Sequence, residues 1–184
     1  MNSEAPLLSF EYEEDEALDL VDENDEVVGT IKRADMMELR DTPGRYIRAV
    51  DIFIQRSNGD IYLPRRAMGK KIAPGGLDIS AAGHLNSGES YEAAGIREVK
   101  EETGIDVTTN DLTLVAKLDP TPQLFYFDTV YLVRTDQEPK LSPEHIEATW
   151  VSPDQLQTTV ENDVPTKDTL VADIPILLTY LQEH

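Results

Sequence analysis

The fold of this chain is decided by one stretch, Gly83 to Ile105, which reads GHLNSGESYEAAGIREVKEETGI. Its second half predicts a helix, with Ser90 capping the start and Gly104 ending it in a left-handed turn. Residues three and four apart share one face of a helix. Three carboxylates therefore fall within one arc, and they are Glu98, Glu101 and Glu102.

The opposite arc of this helix is predicted to pack on a core. It consists of Ala93, Ile96, Val99 and Thr103. The three carboxylates repel one another unless a positive charge lies among them. Hard oxygen ligands at this density suit Mg²⁺ or Mn²⁺. A solvated acidic face is the alternative, because the whole chain is acidic.

The spacing of the stretch resembles the signature of the Nudix hydrolase family. It runs Gly83, five residues, Glu89, seven residues, Arg97-Glu98-Val99, one residue, Glu101-Glu102, one residue, Gly104-Ile105. The resemblance implies an α/β/α sandwich with a mixed sheet. It also implies a Mg²⁺- or Mn²⁺-dependent hydrolase that cleaves a diphosphate linkage in a nucleoside diphosphate joined to another group, or in a related organic diphosphate.

Site roles follow from the same resemblance. It implies a metal site made of Glu98, Glu101, Glu102 and Gly83. It also implies that Gly83 and Gly104 are hinges of the backbone on either side of the helix. Arg97 resembles the residue that orients a glutamate by ion pairing, and Glu89 resembles a supporting carboxylate. Glu101 and Arg97 are accordingly predicted to be catalytic.

Hydrolysis also needs a carboxylate that takes the proton of the attacking water. The resemblance implies that this base lies either in the helix or in a loop after the last strands. In that loop the candidates are Glu144 and Glu147. Both could instead be ordinary surface acids. His145 ranks below them.

A basic cluster precedes the signature and consists of Arg65, Arg66, Lys70 and Lys71. In a chain this acidic, the cluster is predicted to contact the phosphates of the substrate. Exposed charge at the end of a strand is the alternative. Tyr126, Phe127 and Trp150 are candidates for stacking on a base, although aromatic residues in strands more often form a core.

A narrower likeness, over about residues 18–156, joins the chain to the Nudix branch that includes isopentenyl diphosphate isomerases. The isomerase has a cysteine directly before its Gly-His pair, where this chain has Ala82. It also has a metal-binding histidine before an Arg-Ala pair, where this chain has Ile47. Of the metal-binding histidines of the isomerase, this chain keeps only His84. This histidine could bind metal or take part in catalysis, or it could have a structural role. Hydrolysis is therefore expected rather than isomerisation.

The composition limits the partners. The chain has 184 residues, 16 basic and 36 acidic, which gives a net charge of −20. Such a surface repels nucleic acids and anionic membranes, so a small-molecule diphosphate is the expected partner. The absence of cysteine excludes disulfides and thiolate chemistry. No secretory or membrane-spanning segment is apparent, which favours a cytoplasmic protein.

The order of elements predicts an acidic flexible tail over residues 1–17 and one domain over residues 18–184. That domain begins with a β-hairpin, through which a homodimer is possible, and ends with a helix over residues 166–183. Pro175 is expected to kink or restart this helix. A binding or regulatory module that keeps the fold without turnover is the alternative to an enzyme.

Overall fold

The computed structural model describes residues 16–121, 124–163 and 165–184. Its strands are β1 (Ala17–Val21), β2 (Val27–Lys32), β3 (Ile47–Gln55), β4 (Ile61–Arg66), β5 (Ala81–His84), β6 (Leu112–Leu118), β7 (Tyr126–Arg134) and β8 (His145–Val151). Its α-helices are α1 (Tyr91–Thr103), α2 (Pro153–Asn162) and α3 (Asp168–Glu183), and short 3-10 helices cover Arg33–Asp41 and Thr109–Asp111.

The main sheet is mixed and has the order β6-β7-β3-β4-β8. Strand β3 runs parallel to β7 along its whole length, whereas its other partners are antiparallel. Because β7 occupies one edge of β3, the opposite edge is shared by two strands. There β5 pairs with the stretch from Ala49 to Ile52, and β4 pairs only at Gln55. Strands β4 and β5 therefore diverge from each other along β3.

Alternation along β3 separates two hydrophobic cores. Val50, Ile52 and Ile54 pack in the core that includes α1 residues. Phe53 packs in the core that includes residues of α2 and α3. One helix thus covers one face and two helices cover the other, which confirms the predicted α/β/α sandwich.

The N-terminal hairpin is also confirmed. Strands β1 and β2 form a separate antiparallel two-stranded sheet, joined to the body by a bridge between Val21 and Tyr46. The predicted tail lies outside the described residues as far as residue 15, and Ala17 already belongs to β1. The single domain over residues 18–184 and the homodimer stay predictions.

Two local predictions are corrected. Helix α3 continues through Pro175 without a break. The predicted core-facing arc of α1 is confirmed only at Val99 and Thr103, which are buried. Ala93 is exposed and Ile96 half-buried, and Ala94 and Glu98 are buried instead. The helix approaches β5 with its glutamate side because Gly83 has no side chain to hold it away.

In the parts of the chain that the structure describes, we find no helix both long and apolar enough to span a membrane.

Candidate active site

Helix α1 begins and ends as the sequence predicts. The Ser90 hydroxyl accepts a hydrogen bond from the backbone N–H of Ala93 at 3.2 Å, which caps the first turn. Gly104 has a φ of 70° and ends the helix in the left-handed region, where a side chain would be strained. These two ends fix the length of the helix and hence where its glutamates lie relative to β5.

Arg97 connects the signature loop to the helix. Its guanidinium donates to both oxygens of Glu89, at 3.0 and 2.9 Å, and to the backbone carbonyl of His84 at 3.0 Å. It also donates to Oε1 of Glu98 at 2.6 Å and, more weakly, to Oε2 of Glu101 at 3.4 Å. The fork of the guanidinium therefore holds the loop and the first metal-site glutamate in one arrangement.

Glu98 lies directly against the backbone of β5. A Cβ atom placed on Gly83 would fall 1.8 Å from Oε1 of Glu98, which is far inside any permitted contact. Glycine at this position therefore creates the space that the carboxylate fills. The same packing brings the Glu98 carboxylate against the backbone of Gly83, whose carbonyl is part of the predicted metal site.

Two carboxylates of α1, those of Glu98 and Glu102, hold protons more tightly than isolated glutamates. Burial raises the pKa of Glu98 to about 7, although Arg97 acts in the opposite direction. Burial raises the pKa of Glu102 well above its usual value, and Glu98, Asp78 and Glu144 add to the effect. A buried group of like charges is compensated either by protons or by a cation. The donor set consists of hard oxygens and thus fits Mg²⁺ or Mn²⁺.

A second charged group faces these glutamates from the segment between β4 and β5. Asp78 is 5% exposed and pairs with Arg66, with Nζ of Lys167 at 3.2 Å and with Nε2 of His145 at 3.9 Å. Burial would raise the pKa of Asp78, but Lys167, His145 and Arg66 outweigh it and lower this pKa. Conversely, burial would lower the pKa of Lys167, yet Asp78 and Asp51 raise it, so its ammonium stays charged.

Lys167 is the functional candidate that the sequence reasoning missed. It lies just before α3, and its backbone N–H donates to the carbonyl of Leu77 at 3.2 Å. One signal could have found it. It is the single basic residue among the last 44 positions of the chain, if histidine is left aside.

The predicted basic cluster divides in the structure. Arg66 is buried and bonded to Asp78, and Lys70 is buried and paired with Glu144. Arg65 instead binds both oxygens of Asp163, at 2.9 and 2.7 Å. Lys71 is exposed. Arg66 and Lys70 therefore lie with the carboxylates of the site, whereas Arg65 ties β4 to the end of α2.

The two loop candidates for the base also differ. Glu144 has a side chain 30% exposed and raises the pKa of Glu102, so it faces the α1 carboxylates. The side chain of Glu147 is 66% exposed and pairs with Arg65 at 2.7 Å. His145 is buried, and its Nδ1 lies 3.2 Å from the hydroxyl of Ser142. These contacts favour Glu144 among the three.

The aromatic candidates lie apart from one another. Phe127 is buried edge-on against Tyr46, and the guanidinium of Arg56 covers the ring of Trp150 at 3.7 Å. Tyr126 contacts the ring of His84 edge-on, with ring centres 6.1 Å apart. Burial lowers the pKa of His84 to about 3, so this imidazole is neutral.

The structure thus combines a mixed sheet with a carboxylate-bearing helix that packs over the strand containing Gly83. The model of the NUDIX domain matches residues 45–174. The chain belongs to the Nudix family and is a Nudix-type diphosphate hydrolase.

Individual relatives support this membership. A Nudix hydrolase of Deinococcus radiodurans is 38% identical over 144 residues, covering 77% of this chain and 82% of the relative. An uncharacterized Nudix hydrolase of Nostoc sp. is 37% identical over 158 residues, covering 85% and 92%. A crystal structure from Deinococcus radiodurans has a TM-score of 0.71 at 34% identity, covering 87% of this chain and 98% of that one.

The likeness to the isomerase branch is confirmed at lower identity. Isopentenyl-diphosphate Delta-isomerase 2 of Photorhabdus laumondii is 30% identical over 152 residues, covering 80% of this chain and 84% of the isomerase.

Proposed function

We propose that this chain is a Mg²⁺- or Mn²⁺-dependent pyrophosphohydrolase that acts on a nucleoside diphosphate derivative or a related organic diphosphate. The observation that carries the proposal is the contact of the Glu98 carboxylate with Gly83, together with the burial that raises the pKa of Glu98 and of Glu102 on the same helix. Buried carboxylates in this arrangement are compensated by a divalent cation more effectively than by solvent.

The metal site consists of Glu98, Glu101 and Glu102 with the carbonyl of Gly83. A cation held by these groups would supply a lower pKa for bound water and would neutralise charge on the diphosphate. Arg97 fixes Glu98 through the 2.6 Å hydrogen bond, and Glu89 in turn fixes Arg97. Orientation by such a fork keeps the carboxylate in one rotamer when substrate enters.

Three cations of the chain are assigned to the phosphates of the substrate: Arg66, Lys70 and Lys167. Each is now paired with a carboxylate at the site, namely Asp78 or Glu144. Phosphate oxygens would compete with these carboxylates for the N–H donors of the three side chains. Arg65 and Lys71, also predicted from the sequence, lie at the margin of this group and stay predictions.

Glu144 is assigned as the base. The oxygen of a water molecule attacks phosphorus while the carboxylate of Glu144 takes its proton, and the bond from phosphorus to the bridging oxygen breaks. The electron pair of that bond stays on the departing phosphate. Glu144 is supported by its closeness to Glu102, whereas Glu147, which pairs with Arg65, remains a second candidate.

Isomerisation is not proposed, because the position of the isomerase cysteine is occupied by Ala82, whose methyl group cannot transfer a proton. The N-terminal β-strands and the DISAAGH stretch (Asp78 to His84) account for the likeness to the isomerase branch without requiring its chemistry.

The test is a set of matched glutamine variants in one helix. Glu101→Gln and Glu102→Gln each remove a ligand charge and keep the side-chain shape, so hydrolysis should fall roughly 10²-fold or more. Glu92→Gln is the control, since Glu92 is exposed in the first turn of α1 and is not part of the carboxylate arc. The measurement is product release from a diphosphate panel with Mg²⁺ or Mn²⁺.

Two results would contradict the proposal. One is equal turnover by Glu102→Gln and Glu92→Gln. The other is tight binding of nucleotides by the wild-type protein with no product under any metal, which would favour the regulatory-module alternative.

A further inference from the structure

Three buried aspartates from three separate elements meet on the α3 side of the sheet. They are Asp51 in β3, Asp128 in β7 and Asp173 in α3. Each offers a carboxylate oxygen, and these oxygens all lie within 4.8 Å of one another. The residues are 4%, 5% and 1% exposed, so solvent does little to screen their mutual repulsion.

Each of the three carboxylates also has an oxygen without a partner. Oδ2 of Asp51, Oδ1 of Asp128 and Oδ2 of Asp173 are buried and accept no hydrogen bond from a donor outside the cluster. Inside the cluster, Asp51 is placed to share a hydrogen bond with Asp128 or Asp173 only when one of the carboxyl groups holds a proton. Buried polar atoms in folded proteins nearly always have a partner, because an unsatisfied one costs about 1–3 kcal/mol. Three such atoms in one cluster point to a ligand that satisfies them.

The register of the sheet shows that this cluster is distinct from the α1 glutamates. Asp51 follows the alternation of Phe53 and faces α2 and α3, whereas Val50 faces α1. Gly83 pairs with Val50, and Glu98 covers it from the α1 side. The two carboxylate groups therefore lie on opposite faces of the sheet.

Two residues beside the aspartates on this face have small side chains. Ala49 pairs with His84 on one side and with Asp128 on the other, so these three side chains share one face. Ala82 pairs with Asp51 on the same face. Methyl groups at Ala49 and Ala82 fill little of the space between the polar side chains.

Two further unpaired atoms belong to this region. Nδ1 of His84 is buried without a hydrogen bond, in the same row as Asp128. Oγ1 of Thr169 is likewise unpaired, one helical turn before Asp173 and hence on the same face of α3. Both are neutral atoms that can coordinate a cation alongside carboxylates.

We propose that Asp51, Asp128 and Asp173 form a second binding site for a hard divalent cation, Mg²⁺ or Mn²⁺. The cation links α3 to β3 and β7 and satisfies the three orphaned oxygens. Lys167 lies near the cluster, but its ammonium contacts Asp78 at 3.2 Å, and a single positive charge does not balance three carboxylates. The competing state is a cluster that keeps its protons and binds no metal.

The first test needs no variant. Crystals of the full chain grown with Mn²⁺ are measured at a wavelength where manganese scatters anomalously. The proposal predicts an anomalous peak among the three aspartate side chains, separate from any peak at the α1 glutamates. A map with manganese at the glutamates and none at the aspartates overturns it.

The second test counts Mn²⁺ in solution by electron paramagnetic resonance of the free ion. Glu98→Gln/Glu101→Gln/Glu102→Gln, which lacks the α1 carboxylates, should still bind Mn²⁺. Asp51→Asn/Asp128→Asn should bind less Mn²⁺ per chain than the wild-type protein, and Asp168→Asn should bind the wild-type amount. Asp168 is the matched control because it is an exposed aspartate in the first turn of α3.

The proposal fails if Asp51→Asn/Asp128→Asn, shown folded by circular dichroism, binds as much Mn²⁺ as Asp168→Asn. It also fails if the glutamine variant binds none. Because metal binding is read directly, these outcomes are independent of whether the protein hydrolyses any diphosphate. Failure of the second site therefore leaves the proposed hydrolase untouched, and the reverse also holds.

Discussion

At the scale of single residues, Gly83 is required for a steric reason rather than a conformational one. Its φ lies outside the left-handed region, but the space where a Cβ would lie is filled by the carboxylate of Glu98. The signature glycine and the first signature glutamate are thus two halves of one contact. A change at Gly83 acts on the site through Glu98.

Gly83→Ala should accordingly displace Glu98 and lower hydrolysis, and it should destabilise the fold by about 1–3 kcal/mol through overpacking. Activity and chemical denaturation are the two measurements. Gly69→Ala is the control, since a Cβ there meets nothing within 4 Å. Unchanged activity in Gly83→Ala would show that Glu98 need not occupy this position.

His84 offers a prediction about pH. Burial lowers the pKa of its imidazole to about 3, whereas the unfolded chain has a pKa of about 6.5. The unfolded state therefore takes up a proton first as the pH falls. Stability from this group is fully present above pH 6.5 and is lost progressively towards pH 3.

His84→Gln removes this titration. Between pH 7 and pH 5, the unfolding free energy of the wild-type protein should fall by about 2 kcal/mol relative to that of His84→Gln. Urea titrations with a chelator present, at several pH values, measure the difference. Parallel pH profiles for the two proteins would mean that the imidazole is not held neutral.

At the scale of elements, the close crossing before α3 decides where Lys167 lies. A Cβ on Gly76 would fall 1.5 Å from the backbone carbonyl oxygen of Pro165, so only glycine lets this segment pass. The N–H of Lys167 then reaches the carbonyl of Leu77. The segment between β4 and β5 and the start of α3 thus act as one unit that supplies Asp78 and Lys167 to the site.

Lys167→Met tests the role of that unit. Removing the ammonium should raise KM for a diphosphate roughly 10-fold or more, equivalent to about 1.4 kcal/mol of binding, with a smaller effect on kcat. Lys117→Met is the control, because Lys117 is an exposed lysine in β6. An equal loss of kcat at constant KM would instead indicate a structural role for Lys167.

What could be predicted from the sequence was local. The caps of α1 and the N-terminal hairpin depend on residues within a few positions of one another, and they are confirmed. The burial of Glu98 and the position of Lys167 depend on how distant segments pack. Asp51, Asp128 and Asp173 come from three elements, so no spacing in the sequence brings them together.

At the scale of the whole molecule, charge is the dominant feature. A net charge of −20 opposes the approach of an anionic diphosphate, so the site must be locally positive when it works. In the proposed mechanism, Arg66, Lys70 and Lys167 would supply part of that charge, and a divalent cation held by α1 would supply the rest.

The most direct measurement is product release from nucleotide sugars, dinucleotides, nucleoside di- and triphosphates and isoprenoid diphosphates, followed by ³¹P nuclear magnetic resonance. Wild-type protein should split the phosphoanhydride of at least one compound with Mg²⁺ or Mn²⁺, stop on addition of a chelator, and resume when metal is restored. Turnover that persists in the chelator, or the absence of any product across the panel with both metals, would contradict the metal-dependent hydrolase.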